Sequence, residues 1–212
     1  SSDVCSSDLI VFDSAPVKAD FDSLGAPVLE AEVSCSAANG LLAATLCEVF
    51  PDGAATRLSY GILNLTHRDG DEAPAALEPG KRYRVRLQLN DIGHRFGAGN
   101  RIRLAISNAY WPIVWPSPGT NTLTIHCGES RLLLPERKPR SIDKTLKPLP
   151  GPEASPELAH TVLRPGHNSW TTRHDVFSNG HVLTRVNDTG LIRLDGIGLT
   201  YAVKAEHKFT IS

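Results

Sequence analysis

The 212-residue chain contains no methionine, not even at position 1, so its natural start is expected to lie elsewhere and the chain to be an internal piece of a longer polypeptide. It has no uninterrupted apolar stretch long enough to cross a bilayer, and no basic segment followed by an apolar one that would read as a signal peptide; no membrane partner is expected. Neither sign of charge dominates. The 23 acidic residues nearly cancel the 22 basic ones without a long single-sign run, which argues against the polyanion-binding stripe of a nucleic-acid binder. Cysteine is scarce, and one of the four, Cys5, falls within Ser1 to Leu9, a Ser-Ser-Asp-Val-Cys-Ser-Ser-Asp-Leu stretch that resembles translated adapter sequence and is set aside as non-native. The remaining Cys35, Cys47 and Cys127 are odd in number, show no C-x-x-C spacing and have no paired histidines at zinc-finger intervals. Neither a disulfide framework nor a metal site is expected, nor any cofactor; reduced, partly buried thiols in a cytoplasmic protein are.

What is present is strand after strand. Tyr83, Val85, Leu87 and Leu89 alternate with Arg82, Arg84, Arg86 and Gln88, the period of a strand with one buried and one wet face. Ile102, Leu104 and Ile106 repeat the pattern after the tight Phe96-Gly97-Ala98-Gly99 loop. Tyr110-Trp111-Pro112-Ile113-Val114-Trp115-Pro116 then places three large aromatics and two prolines where a hairpin needs only a short polar turn. Upstream, Ile10 to Asp13 is a short apolar run, and Val28 to Cys35 puts Leu29, Ala31 and Val33 on one inner face. Leu42 to Phe50 is apolar on both sides, as a central strand would be, and Thr56 to Leu65 returns from the Pro51-Asp52-Gly53 turn. Gly61, inside that return strand, is expected to mark a bulge or a close approach. Glu78-Pro79-Gly80-Lys81 has the proline and glycine of a type II turn. Asn121 to His126 and Arg131 to Leu134 are expected to pair across Cys127-Gly128-Glu129-Ser130. With 41% apolar residues and almost no helical period, the chain predicts an all-β fold, a two-sheet jelly-roll β-sandwich over residues 10–135, with an eight-stranded sandwich of other topology as the rival.

Pro135, Pro139, Pro148, Pro150, Pro152 and Pro156 punctuate a segment without apolar period, which predicts a linker or covering arm over 136–160. Beyond it, Thr161 to Leu163, Trp170 to Phe177, His181 to Val186 and Ile197 to Val203 predict a β-hairpin-rich extension over 161–212, with Ser178-Asn179-Gly180-His181 as an Asn-Gly turn. The final residues stop within an alternating pattern, so this extension is expected to be cut short. His160, His167, His174 and His181 recur every seven residues, but an odd step changes the face of a strand, so no convergence is expected. For the same reason His174-Asp175 reads as a solvated pair and not a catalytic one. Arg82, Arg84 and Arg86 are expected to form an outward, salt-linked row. Glu48, set between apolar neighbours, is expected to point inward with Arg101 or Arg103 as its partner.

Four motifs together carry a family resemblance: Asp13-Ser14-Ala15-Pro16; Leu46-Cys47-Glu48-Val49-Phe50-Pro51-Asp52-Gly53; Leu77-Glu78-Pro79-Gly80-Lys81-Arg82-Tyr83; and Phe96-Gly97-Ala98-Gly99-Asn100-Arg101-Ile102-Arg103-Leu104. In order and spacing, from about Ile10 to Pro135, the chain resembles the carboxyl-terminal jelly-roll domain, galactose-binding-like, of the X-prolyl dipeptidyl peptidase and CocE/NonD serine hydrolases. The resemblance implies a parent enzyme whose serine, aspartate and histidine lie in an amino-terminal α/β-hydrolase domain, its partner in cis, acting on small acyl esters or X-Pro peptides. No serine here has the G-x-S-x-G context of a nucleophile elbow, so no catalytic residue is assigned and the chain alone is expected to be inactive. Asn100 stands where the family often has histidine, and the Trp111 to Pro118 loop replaces an asparagine- and arginine-containing loop. The site expected from this reading is Tyr110, Trp111 and Trp115, as cleft wall or interdomain contact. Homodimerisation is left open. The alternative function is a stand-alone carbohydrate- or ligand-binding β-sandwich module.

Overall fold

The structure, a computed structural model, describes residues 9–178 and 180–211. The adapter-like Ser1 to Asp8 and Asn179 of the expected Asn-Gly turn lie outside the described residues. The chain divides into two compact units, Ser1–Leu146 and Lys147–Ser212.

The first unit is a sandwich of antiparallel sheets. One layer has the order β1 (Ile10–Asp13), β8 (Arg101–Ser107), β4 (Leu41–Val49), β5 (Ala55–Asn64). Its central β4 is the run that is apolar on both sides, as expected of a strand covered on both faces. The other layer consists of three long strands, each broken once: β2 (Phe21–Gly25) continues into β3 (Val28–Cys35), β6 (Arg82–Gln88) into β7 (Ile92–Phe96), and β9 (Leu123–Leu133) into β10 (Glu136–Arg137). The order is β6-β3-β9 before the break and β7-β2-β10 beyond it. Pro27 and Pro135 sit at two of the breaks, where a residue without an N–H cannot continue the ladder. Pairing is carried across by the Leu89 N–H donating to Pro27 O at 2.9 Å and the Leu24 N–H donating to Pro135 O at 3.1 Å. Leu29, Ala31, Val33 and Cys35 of β3 face Leu42, Ala44 and Leu46 of β4, with Val85, Leu87, Phe96, Leu104 and Ile106 completing one core.

The Glu78–Lys81 turn closes as expected, with Gly80 at φ +80° and the Lys81 N–H donating to Glu78 O at 3.1 Å. Gly61 is a close-approach point: a Cβ there would stand 2.9 Å from the Gln88 carbonyl oxygen and 3.2 Å from Leu89 Cα. Gly61→Ala therefore has to part β5 from β6, and we expect about 1–3 kcal/mol of lost stability, read as a lower thermal midpoint.

The segment between β6 and the Phe96-Gly99 loop is itself a strand: β7 pairs with β2, while β6 pairs with β3 and β8 with β4. One expectation needs correction. Residues 123–133 form one strand instead of a hairpin. Glu30 opposes Arg131 and Glu32 opposes His126, so both halves pair with β3 and 127–130 bulge out between them. The stretch 136–160 holds β10 and a 3-10 turn at Ser141–Thr145, where the Arg140 N–H donates to Asp143 Oδ2 at 2.8 Å.

In the second unit β13 (Gly180–Leu194) runs centrally, with β14 (Leu199–Ile211) along one side and β12 (His167–Asp175) followed by β11 (His160–Arg164) along the other. A bulge at 188–191 is locked by Asp188, only 8% exposed, which accepts from Arg164 at 2.8 and 3.0 Å and from the Gly190 N–H at 2.8 Å. The Arg164 guanidinium and that N–H hold the Asp188 carboxyl at about 2, below its ordinary 3.8. A depressed folded value means the stabilisation is complete above pH 4 and fades as pH falls towards 2. Thermal melts of Asp188→Asn and the parent sequence should converge across that window, while a constant gap would contradict the lock.

Candidate functional site

β8 delivers the chain into the aromatic loop, and Asn108 closes the neck of that loop by donating from Nδ2 to Asn121 O at 3.0 Å. Inside, Tyr110 O accepts from the Ile113 and Val114 N–H groups, both at 3.0 Å, and the Trp111-Pro112 peptide bond is cis. The three expected site residues divide into an anchor and a displayed pair. Tyr110 is buried: its ring stacks on Tyr60 with centroids 5.5 Å apart, and its hydroxyl accepts from Arg57 Nη1 at 2.8 Å, so two residues of β5 pin the loop. Trp111 and Trp115 contact each other with centroids 5.2 Å apart, and Trp115 is 55% exposed. The Trp111 indole N–H is buried with no hydrogen-bond partner among the described residues. A buried orphan donor costs about 1–3 kcal/mol, so the loop carries a donor without its acceptor. The loop thus presents aromatic ring area beside the Trp111 N–H.

A second cluster lies at the Phe96-Gly99 loop. Glu48 does point inward and is 3% exposed, but neither Arg101 nor Arg103 is its partner. Arg103 instead reaches the carboxylate of Asp13 at 2.7 and 2.8 Å. Glu48 Oε2 lies 2.7 Å from His94 Nε2, and Oε1 accepts from Asn100 Nδ2 at 2.7 Å and from the Gly97 N–H at 3.0 Å. Burial pushes the Glu48 carboxyl up, but the bonds from Asn100, Gly97 and His94 outweigh it and hold the group below the ordinary carboxylate range. Asn100 thus works as a hydrogen-bond donor that fixes the loop.

Two other expectations are settled by geometry. Arg82, Arg84 and Arg86 do face outward, and Arg82 and Arg84 are salt-linked, each 3.4 Å from its carboxylate, Glu32 and Glu129 respectively. The heptad-spaced histidines do converge in one pair, contrary to the expectation from strand alternation. The β12–β13 reversal makes His174 and His181 cross-strand partners, with rings stacked 4.3 Å apart. Among the described residues no group of three or more His, Cys, Asp or Glu is arranged to hold a metal ion. Cys35, Cys47 and Cys127 are free thiols, Cys35 buried and Cys127 exposed.

Residues 2–170 match the model of the X-Pro dipeptidyl-peptidase C-terminal non-catalytic domain. Over 80 residues the sequence is 34% identical to cocaine esterase of Rhodococcus sp. (strain MB1 Bresler), a match covering 38% of this chain and 14% of that protein. Among solved structures, an aminopeptidase from the marine sediment archaeon Thaumarchaeota archaeon superposes with a TM-score of 0.59 at 19% identity, covering 64% of this chain and 27% of that one. An α-amino acid ester hydrolase gives 0.58 at 19% identity over 61% of this chain and 26% of the other. A CocE/NonD family hydrolase from Staphylococcus aureus gives 0.52 at 16% identity, over 61% and 30%. At such identities the structures establish a shared fold, and the chain spans less than a third of each of these proteins.

Proposed function

The chain belongs to the family of X-Pro dipeptidyl-peptidase C-terminal non-catalytic domains, a non-catalytic part of a hydrolase, and from that membership we propose how it serves its parent enzyme. Its sandwich adopts the jelly-roll, galactose-binding-like topology and docks on an amino-terminal α/β-hydrolase domain of the same polypeptide. The serine, aspartate and histidine of the parent reside in that domain, and the substrate is a small acyl ester or an X-Pro peptide. The Tyr110–Trp115 loop forms part of the cleft wall or of the interdomain contact. One observation supports this role above the others: Tyr110 is fastened to β5, yet it holds out a tryptophan pair whose Trp111 N–H has no acceptor among the described residues. Tryptophans at the centre of a contact carry much of its free energy.

Substituting both Trp111→Ala and Trp115→Ala in the parent polypeptide is expected to lower kcat/KM for an acyl ester by roughly tenfold or more, equivalent to about 1.4 kcal/mol. The 212-residue chain with the same changes should melt within a few degrees of the original. Unchanged activity and melting of the parent would overturn the assignment.

A second reading, a carbohydrate- or ligand-binding module, has one observation in its favour. Trp170 is half-exposed on β12, beside the cross-strand amides of Asn168 and Asn187, although the Arg185 guanidinium already lies 5.5 Å from its ring. A glycan-array screen separates the two: binding lost in Trp170→Ala supports the module, and silence supports the hydrolase reading.

A further inference from the structure

The two long sides of the sandwich are built differently. One is sealed, where β5 meets the bend between β6 and β7: the Asn90 N–H donates to Tyr60 O at 3.0 Å, Ser59 Oγ donates to Asn90 O at 2.6 Å, and Gly61 is pressed against Gln88. The other side is open. There β1 and β9 are the outermost strands of their sheets, with no strand on their outer sides among the described residues. Between them lies a groove of about 370 Å³, lined chiefly by Phe12, Leu104, Ile106, Ile125, Leu132 and Leu134. The bulge at 127–130 falls at this level, where Cys127 and Ser130 join the groove's lining.

Among the described residues, both the side chains and the outward backbone groups of this edge have room for a partner. Phe12 remains 37% exposed although its cross-strand neighbour Leu104 is buried. The Ser14 N–H donates to Ile102 O at 2.9 Å, and strand alternation then directs the amides of Ile10 and Phe12 to β8 and those of Val11 and Asp13 outward. The edge thus presents donors and acceptors at strand spacing beside an apolar trough. A small apolar molecule could fill the trough but would leave the backbone groups unmet. A polypeptide strand with apolar residues at every second position meets both needs at once.

We infer that an extended segment of the parent polypeptide, from outside these 212 residues, adds to the free edge of β1 as a further strand and lays its inward side chains in the groove. The inference rests on the reading of this chain as one domain of a longer hydrolase. Chain for the purpose is ample in proteins of that kind, since this sequence spans only 27% and 26% of the aminopeptidase and the ester hydrolase.

Amide hydrogen exchange on the parent polypeptide and on the 212-residue chain tests this without any substitution. The Val11 and Asp13 amides should exchange about 100-fold more slowly in the parent, as ladder-bonded amides do relative to open ones. Val11→Pro removes only an outward N–H. It should abolish the protection of the Asp13 amide in the parent while the 212-residue chain keeps its fold by circular dichroism. Equal exchange in the two proteins would overturn strand addition. So would protection in the 212-residue chain that grows with concentration alongside a dimer in sedimentation, which would give the edge to a second copy. If exchange is equal yet the tryptophan substitutions still lower activity, strand addition fails alone and the docking reading stands.

Discussion

Glu48→Ala should lower the unfolding free energy of the first unit by about 3–5 kcal/mol, the range seen when one member of a buried, hydrogen-bonded charged cluster is removed. For a unit of this size that is roughly 10 °C of melting temperature. The size follows from what is left behind. The Asn100 amide, the Gly97 N–H and the His94 imidazole, all half-buried, converge on the buried carboxylate, and each would lose that partner. Glu48→Gln keeps the volume and one carbonyl acceptor, so it should cost less, about 1–2 kcal/mol. Because the folded carboxyl titrates below its ordinary range, the stabilisation is present at neutral pH and is lost on acidification through the folded value. The gap between the parent sequence and Glu48→Ala should therefore narrow in acid; urea unfolding at neutral and acidic pH reads it directly.

Phe96→Ala is expected to cost a similar 3–5 kcal/mol. Phe96 is fully buried, stacks on Phe21 with centroids 4.9 Å apart, and meets the edge of His94 at 5.0 Å. Removing the ring opens a cavity at the junction of β7 and β2 and also frees the imidazole that Glu48 holds. The two substitutions share His94, so the double variant should lose less than the sum of the singles, by about 0.5 kcal/mol or more. Strict additivity would mean that the aromatic stack and the carboxylate cluster are separate devices.

How far the sequence foretold these features depends on how local their causes are. β3 and β4 were legible because their side chains alternate, or fail to alternate, according to the faces they cover, and the Glu78–Lys81 turn because proline and glycine set its backbone angles. β2 and β7 carry no such pattern. Phe21-Asp22-Ser23-Leu24-Gly25 and Ile92-Gly93-His94-Arg95-Phe96 are strands because β3 and β6 continue through a bend and keep their neighbours, a cause lying outside each segment. Since β7 was hidden, so was the partner of Glu48. His94 sits on that strand, and only the two arginines of the visible β8 remained as candidates. The histidine pair failed differently. The face rule holds along one strand, but the reversal between β12 and β13 restarts it, and His174 lands opposite His181. The aromatic loop stood out in sequence as a loop too apolar for its position. That Tyr110 is its anchor and the tryptophans its display depends on Arg57 and Tyr60, which only the sheet order brings near.

The most direct measurement is hydrolysis of an acyl ester and of an X-Pro anilide by the parent polypeptide and by the 212-residue chain, side by side, with and without a serine-directed phosphonate. The account predicts phosphonate-sensitive turnover by the parent and only the buffer rate from the 212-residue chain. Phosphonate-sensitive turnover by the chain alone, or a parent that turns over neither substrate, would contradict it.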